Sequence, residues 1–363
     1  MAPKKIIINP EVLKWARESA HLDIDEIPKS IISPEILSSI EKGVNYPTFT
    51  QLQRLAKKYE RSLGVLMGDK IPELDYQKIP FFRKENQTDY DSSLALFIRD
   101  IQDKQDWAKN YLLSEGNAEL DFIGSVSITE NVDGVANKIK ERLDLPHFRS
   151  FSNRHDYLKN LKVELEEHGI FISITGSNQS NKRISLEQAQ GLAISDPIAP
   201  FVFVNTKNTT NAKIFTLIHE IAHLFLDESG ISEDALRFRK TECKEDEIEN
   251  FCNNVAGEVL MPKKEFLEEF TRRDGSLEKI ITDLSNVFFV SELAICVKLW
   301  RLNLVTFDEY RFHYASIEKK IKDYLLAKEK EQKERSGGSY YNNLRSKNGV
   351  LFSYLAYSAY KSG

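Results

Sequence analysis

Two histidines and a glutamate fall within a run of five residues near the middle of the chain, His219-Glu220-Ile221-Ala222-His223. Side chains four residues apart lie one turn above each other on the same face of an α-helix, so the two imidazoles can bind one tetrahedral metal ion. Glu220 directly follows the first histidine, and its carboxylate can reach a water beside that metal without binding the metal itself. The run therefore predicts one Zn²⁺ per chain, with Glu220 as the general base of a peptide hydrolysis.

The segment around this run is predicted to be a buried helix that begins near Asn211. A helix that is apolar nearly all round belongs to a protein interior, and the apolar residues here are Ile214, Phe215, Leu217, Ile218, Ile221, Ala222, Leu224 and Phe225. Buried imidazoles and carboxylates cost free energy unless they have a partner, and a metal ion is a suitable one. The alternative is a chance match on a core helix, which this context disfavours.

A catalytic zinc usually has three protein ligands, so a third has to be found. Residues 227–230 offer no further histidine, and the next predicted helix spans residues 245–261. Glu249 lies on the border of the apolar stripe of that helix and can face the first helix. Glu245, one turn earlier on the same side, is the second candidate, whereas Glu247 points away.

The remaining elements predict an α+β protein that is mostly helical and has a small β-sheet. Short segments rich in β-formers predict strands at 171–175, 191–195 and 201–204. Periodic apolar positions predict further helices at 92–113, 135–143, 157–168 and 317–334, and a helical pair within 284–305.

Composition restricts the classes of protein to which the chain can belong. A length of 363 residues suggests two or three domains, and a net charge of −5 excludes a strongly basic nucleic-acid binder. The three cysteines have no CxxC spacing, which indicates neither a disulfide framework nor a thiolate zinc site. We find no predicted signal peptide or transmembrane segment, so we expect a cytoplasmic protein without a membrane partner.

The segments HEIAHLFL and EIENFCNNVAGEVLMP resemble the ImmA/IrrE family of bacterial metallopeptidases, and the resemblance covers about residues 118–300. The resemblance implies a zincin-like metallopeptidase domain and assigns the third zinc ligand to Glu249. Asn253, one turn later, is then expected to orient Glu249 as an outer partner. Members of the family typically cleave a helix-turn-helix repressor after a stress or mobile-element signal. The resemblance thus implies as substrate a repressor or a neighbouring-gene product such as a toxin.

The first 70 residues read as a set of short helices and resemble an Xre/Cro-type helix-turn-helix domain, with SPEILSSIEKG as its recognition helix. Pro28 is expected to shorten or kink the second helix. Candidate DNA contacts are Ser33, Ser38, Ser39 and Lys42, but this helix carries no arginine, the commonest reader of base edges. These 70 residues hold 11 Lys/Arg against 9 Asp/Glu, which is too small an excess of positive charge to favour double-stranded DNA strongly as the partner. Docking of a protein or formation of a homodimer is therefore the alternative.

We therefore predict four regions: a helix-turn-helix domain at 1–70, a linker and connecting helix at 71–117, the peptidase domain at 118–305, and a helical C-terminal region at 306–363. The predicted function is that of a zinc endopeptidase coupled to a docking module. The alternative is a DNA-binding repressor, or the antitoxin of a toxin–antitoxin pair, in which proteolysis is secondary or lost. Candidates for stabilising the oxyanion are His313, Tyr310 and Tyr314.

Overall fold

The computed structural model describes residues 5–71, 92–176, 184–186, 188–232, 244–334 and 347–362. It is mostly helical with one four-stranded sheet, which confirms the predicted α+β class. The described residues fall mainly into two compact units, one made of residues 5–71 and 92–103 and the other of residues 104–176 and 185–362. Most of the predicted linker, residues 72–91, lies outside the described residues.

The first unit consists of short helices whose starts are set by side-chain caps. Its helices are α1 (Pro10–Glu18), a 3₁₀ turn (Ile24–Glu26), α2 (Pro34–Glu41), α3 (Phe49–Tyr59), α4 (Leu63–Leu66) and the first half of α5 (Ser92–Ser114). Ser33 caps α2 and Thr48 caps α3, each accepting from a backbone N–H three residues ahead. The second predicted helix is a single 3₁₀ turn that ends before Pro28, because proline cannot supply the N–H that a longer helix needs.

A buried ion pair joins α1 to α2 inside this unit. Arg17 donates from Nε and Nη2 to the two carboxylate oxygens of Glu41, at 2.8 and 2.9 Å, and from Nη1 to the carbonyl of Leu22 at 2.8 Å. Both side chains are less than a tenth exposed. The fork-shaped guanidinium therefore satisfies the carboxylate in a bidentate arrangement.

The second unit has nine whole helices in its described part, besides the second half of α5, one 3₁₀ turn and the sheet. They are α6 (Val132–Arg142), α7 (Arg154–Glu167), α8 (Thr210–Leu226), α9 (Lys244–Leu260), α10 (Lys263–Thr271), α11 (Leu277–Phe288), α12 (Glu292–Arg301), α13 (Phe307–Glu334) and the C-terminal α14 (Val350–Ser362). Helix α13 begins ten residues earlier than predicted. Its start is fixed by a reciprocal cap, in which Thr306 Oγ1 accepts from the N–H of Glu309 and Glu309 accepts from the N–H of Thr306.

The sheet has the strand order β1-β3-β2-β4, with β1 (Phe171–Thr175), β2 (Gly191–Ile194), β3 (Phe201–Asn205) and β4 (Gly230–Ser232). Strands β1 and β3 are parallel, whereas β2 is antiparallel to both of its neighbours. All four strands are buried, which agrees with their nearly continuous apolar sequences. The sequence did not predict β4, because three residues beginning with glycine show no alternation.

The C-terminal helix α14 is fixed to the second unit at its first turn. One carboxylate oxygen of Glu166, on α7, accepts from the N–H of Val350 at 2.7 Å and from the next N–H at 3.3 Å. Gly349, with φ +75°, has no room for a side chain, since a Cβ there would lie 2.4 Å from a carbonyl oxygen of β1. The ring of Phe352 then packs edge-on against Phe171 of β1.

Within the described residues, no individual helix has both the length and the apolar composition needed to cross a membrane. Helices α11 and α12 reach that length only when taken together, and they are bent by 108°. Both contribute to the main hydrophobic core, with Leu284, Phe288 and Ile295 fully buried.

Candidate metal centre

Helix α8 forms the centre of the second unit and packs against β2, β3, α7 and α9. Thr209 caps its start by accepting from the N–H of Ala212, and Asp227 ends it in the left-handed conformation at φ 58°. Every residue from Ile214 to Phe225 is buried, so both histidines of the HExxH run are held in a rigid, water-excluded environment.

The structure brings together His219, His223 and Glu249. The Nε2 atoms of the two histidines are 3.1 Å apart. His223 Nε2 lies 3.2 Å from Oε1 of Glu249, and His219 Nε2 lies 3.6 Å from Oε2. All three side chains are essentially inaccessible to solvent. These three residues could hold a metal ion, since one ligand atom from each lies within 4.8 Å of the others.

The donor set and its spacing both fit zinc. Two imidazoles and one carboxylate form a ligand set known from catalytic zinc sites. Ligand atoms about 2.1 Å from a tetrahedral centre are about 3.4 Å from one another, close to the 3.1, 3.2 and 3.6 Å observed here. The side chain of Glu245, the second candidate ligand, lies outside the described side chains, and Glu247 is exposed.

Burial and mutual charge act in opposite directions on the pKa values of these groups. Burial alone would lower the pKa of His219, but the neighbouring carboxylate of Glu249 outweighs it and raises that pKa. Burial dominates at His223 and lowers its pKa. Burial would raise the pKa of Glu249, but the two histidines hold it well below its usual range. Glu249 is thus kept ionised, as a metal ligand has to be.

Glu220 lies next to the ligands without being one of them. Its carboxylate is fully buried, and burial, together with repulsion from Glu249, raises its pKa to about 8. Gly191, the first residue of β2, makes room for it, because a Cβ there would lie 2.0 Å from Oε1 of Glu220 and 2.7 Å from Cγ2 of Thr216. The backbone of β2 therefore forms one wall of the pocket that holds this carboxylate.

Two further polar residues border the histidines. Ser232, on β4, has its hydroxyl 3.3 Å from Nε2 of His219, and its proximity to Glu220 opposes the rise in the pKa of that carboxylate. Asn253, on α9, is buried and interacts with His219, whose pKa it helps to raise. The ligand that Asn253 influences is therefore His219, whereas Glu249 was expected. Sequence reasoning missed Ser232 and Gly191, since only the pairing of β2 with β4, in which these two residues are partners, brings them together.

The three candidates for oxyanion stabilisation lie on α13. The ring of Tyr310 stacks on Trp300 of α12 at 5.0 Å, and Tyr314 packs against Tyr310 at 5.5 Å. His313 is in edge contact with Phe312. The contact of Tyr310 shows a role in packing α13 against α12, and Tyr314 packs beside it on the same helix.

The candidate DNA contacts lie on and around α2. Ser33 is the cap of that helix, and Ser39 donates its hydroxyl to the carbonyl of Ile36 within the same helix. Ser38 is half-buried and Lys42 is exposed. Two of the three serine hydroxyls therefore already serve the backbone of the helix.

One segment of the second unit, which contains this centre, is similar to a known protein family. Residues 165–299 match the IrrE N-terminal-like domain of peptidase family M78. No curated protein matches the chain. The matched segment includes α8 and α9, and hence all three candidate ligands and Glu220. The IrrE-like segment supports a peptidase domain in this part of the chain, as the resemblance predicted. The helix-turn-helix fusion at the N-terminus stays a prediction.

Proposed function

We propose that the chain is a zinc-dependent endopeptidase. The observation that carries this proposal is the convergence of His219, His223 and Glu249 at one buried point, with the carboxylate of Glu220 held beside them against Gly191. The match of the surrounding segment to a peptidase family supports the same reaction class.

In this reaction the side chains of His219, His223 and Glu249 would hold the ion. Zinc bound there would polarise the scissile carbonyl and promote ionisation of the attacking water. Glu220, whose carboxylate is held beside the three ligands in its buried pocket, would take a proton from that water and return it to the leaving amine. Asn253 would keep the imidazole of His219 in a fixed orientation.

The substrate class follows from the ImmA/IrrE resemblance. We propose a helix-turn-helix repressor or another product of a neighbouring gene, with a toxin as one form that such a product can take. Cleavage of a repressor would release transcription in response to stress.

Exchange of Glu220 for glutamine tests the assigned chemistry. The Glu220→Gln variant keeps nearly the same shape and leaves all three ligands in place, so it should bind zinc as the natural protein does. It should lose cleavage by a factor of at least about 10² because the amide cannot take up a proton. Cell lysate incubated with each protein, followed by mass spectrometry of newly formed N-termini, would reveal substrates cut only by the natural protein. Full cleavage by a zinc-loaded Glu220→Gln variant would contradict the assignment.

The metal itself is tested by removing one ligand at a time. Elemental analysis of the purified protein should find about one zinc per chain, and the His219→Ala and Glu249→Ala variants should lose it. Glu247→Ala is the matched control, because Glu247 lies on the same helix as Glu249 but is exposed. Equal zinc contents in all four proteins would contradict the ligand set.

The first unit supports a docking role in this proposal. Ile36, on α2, and Val44 and Phe49 just beyond it are 42%, 79% and 45% exposed. Large apolar side chains exposed around a helix favour contact with a protein over contact with phosphates. The alternative, a DNA-binding repressor or antitoxin, predicts that the full chain binds its own operator tightly and cleaves nothing. An operator-binding assay performed beside the cleavage assay distinguishes the two functions.

A further inference from the structure

Ser232 is a polar residue of β4 to which the reaction described above assigns no role. Its side chain is fully buried, and its hydroxyl lies 3.3 Å from Nε2 of His219. The same nitrogen lies 3.1 Å from Nε2 of His223 and 3.6 Å from Oε2 of Glu249, and is therefore the atom with which His219 would bind a metal ion. Because an imidazole nitrogen has one lone pair, the hydroxyl cannot donate to Nε2 while a metal ion is bound there.

The pairing of β2 with β4 also places Ser232 beside Glu220. Gly191 and Ser232 are directly opposite each other in this antiparallel pair. The Cβ atoms of directly opposed residues are on the same face of a sheet, about 5 Å apart. A Cβ on Gly191 would lie 2.0 Å from Oε1 of Glu220. The side chain of Ser232 therefore projects from the sheet on the face that borders this carboxylate.

The carboxylate of Glu220 can accept a hydrogen bond from that hydroxyl. Both of its oxygens are buried and have no hydrogen-bond partner among the described residues. A buried carboxylate without partners costs free energy, which a hydrogen bond from a neighbouring hydroxyl partly offsets. The serine side chain can rotate about its Cα–Cβ bond between staggered positions, so the same hydroxyl can serve His219 in one position and Glu220 in another.

We propose that Ser232 is the positioning residue for Glu220 in the metal-loaded protein. With Nε2 of His219 bound to the ion, the hydroxyl would donate to one oxygen of Glu220 and leave the other oxygen for the proton of the attacking water. Ser232 would act through Glu220 and would keep its own proton throughout. The role assigned to Ser232 rests on the proposed function, because it requires a metal ion at His219 and a base at Glu220.

Zinc affinity, measured on the full chain by competition with a fluorescent chelator, tests this role without a substrate. Ser232→Ala removes a hydrogen bond to His219 from the metal-free form and a hydrogen bond to Glu220 from the zinc form. Because the bond to the charged acceptor is the stronger of the two, zinc should bind about fivefold more weakly. In a Glu220→Ala background only the bond to His219 is lost. There, Ser232→Ala should instead tighten zinc binding by about fivefold.

Two further variants separate this role from a general effect on the fold. Ser232→Thr keeps a hydroxyl and should restore the natural zinc affinity. Ser173→Ala is the matched control, because Ser173 is a buried serine of β1 whose hydroxyl donates to the carbonyl of Lys347 at 2.6 Å. That variant should leave zinc affinity unchanged.

Cleavage of an identified substrate gives a second measurement. Ser232→Ala should lower kcat by about tenfold, the usual loss for a hydrogen bond to a charged group, at an unchanged KM. The role of Ser232 is overturned, with the metal centre left in place, if Ser232→Ala changes zinc affinity equally with and without the Glu220 carboxylate. A natural protein that binds no zinc would contradict the proposed function itself, and the role of Ser232 with it.

Discussion

Replacing Gly191 by alanine should disable the candidate site without touching a ligand. The added Cβ would lie 2.0 Å from Oε1 of Glu220, 2.7 Å from its Cδ and 2.7 Å from Cγ2 of Thr216. Carbon atoms essentially never approach an oxygen closer than 3.0 Å, so the carboxylate has to move by about 1 Å or the strand has to shift. A displacement of about 1 Å in a catalytic group typically lowers the rate about 10²-fold.

Stability gives a second measure that needs no substrate. Overpacking of this kind costs about 1–3 kcal/mol of unfolding free energy. If Glu220 is the main obstacle, the cost of Gly191→Ala should fall by at least about 1 kcal/mol in a Glu220→Ala background. Part of the cost should persist there, because the contact with Thr216 is unchanged.

The assays are urea denaturation of the metal-free proteins, zinc analysis, and cleavage of a substrate identified with the natural protein. Gly257→Ala is the control, because a Cβ on Gly257 of α9 would meet nothing within 4 Å. That variant should be neutral or stabilised by up to about 1 kcal/mol, the usual gain from glycine to alanine in a helix. We expect Gly191→Ala to retain zinc and lose cleavage. An equal cost of Gly191→Ala with and without the Glu220 carboxylate, or unchanged cleavage, would refute the reasoning.

Two further predictions concern stability. Glu41→Ala leaves the guanidinium of Arg17 buried without its bidentate partner, which should cost about 3 kcal/mol in urea denaturation. The exposed Glu35→Ala on the same helix should cost less than about 0.5 kcal/mol, and equal costs would show that the buried pair has no special role. Glu166→Ala removes the acceptor that caps the C-terminal helix, at about 1 kcal/mol, and should speed proteolytic release of that helix. The exposed neighbour Glu167 provides the control, since Glu167→Ala should leave the rate of release unchanged.

The sequence predicted best the elements whose signal is local. Helix α8 was predicted from Asn211 and begins at Thr210, and the three predicted strands agree with β1, β2 and β3 to within a residue at each end. The early start of α13 had a local signal too, the pair Thr306 and Glu309, which periodicity alone did not use. A search for capping residues would have found it.

What the sequence could not predict depends on contacts between distant segments. Strand β4 forms because the chain reverses direction after Asp227. The turn is fixed to the end of β2 by Ser195, which donates its hydroxyl to Asp227 and its N–H to Ser229. Nothing in three residues encodes that pairing. Similarly, the sequence around Gly349 does not predict that this residue lies too close to β1 to carry a side chain.

The placement of Glu220 shows how the two kinds of information combine at the candidate site. Its position after His219 is local and follows from helix geometry, which separates the base from the ligands. Its pocket is non-local, since Gly191 supplies the space on β2 and Ser232 a hydroxyl on β4. A glutamate carboxyl in water would have an ordinary pKa, whereas burial in this pocket raises the pKa of Glu220 to about 8. The motif therefore specifies which residue can act as a base, and the sheet supplies the space in which its carboxylate is held.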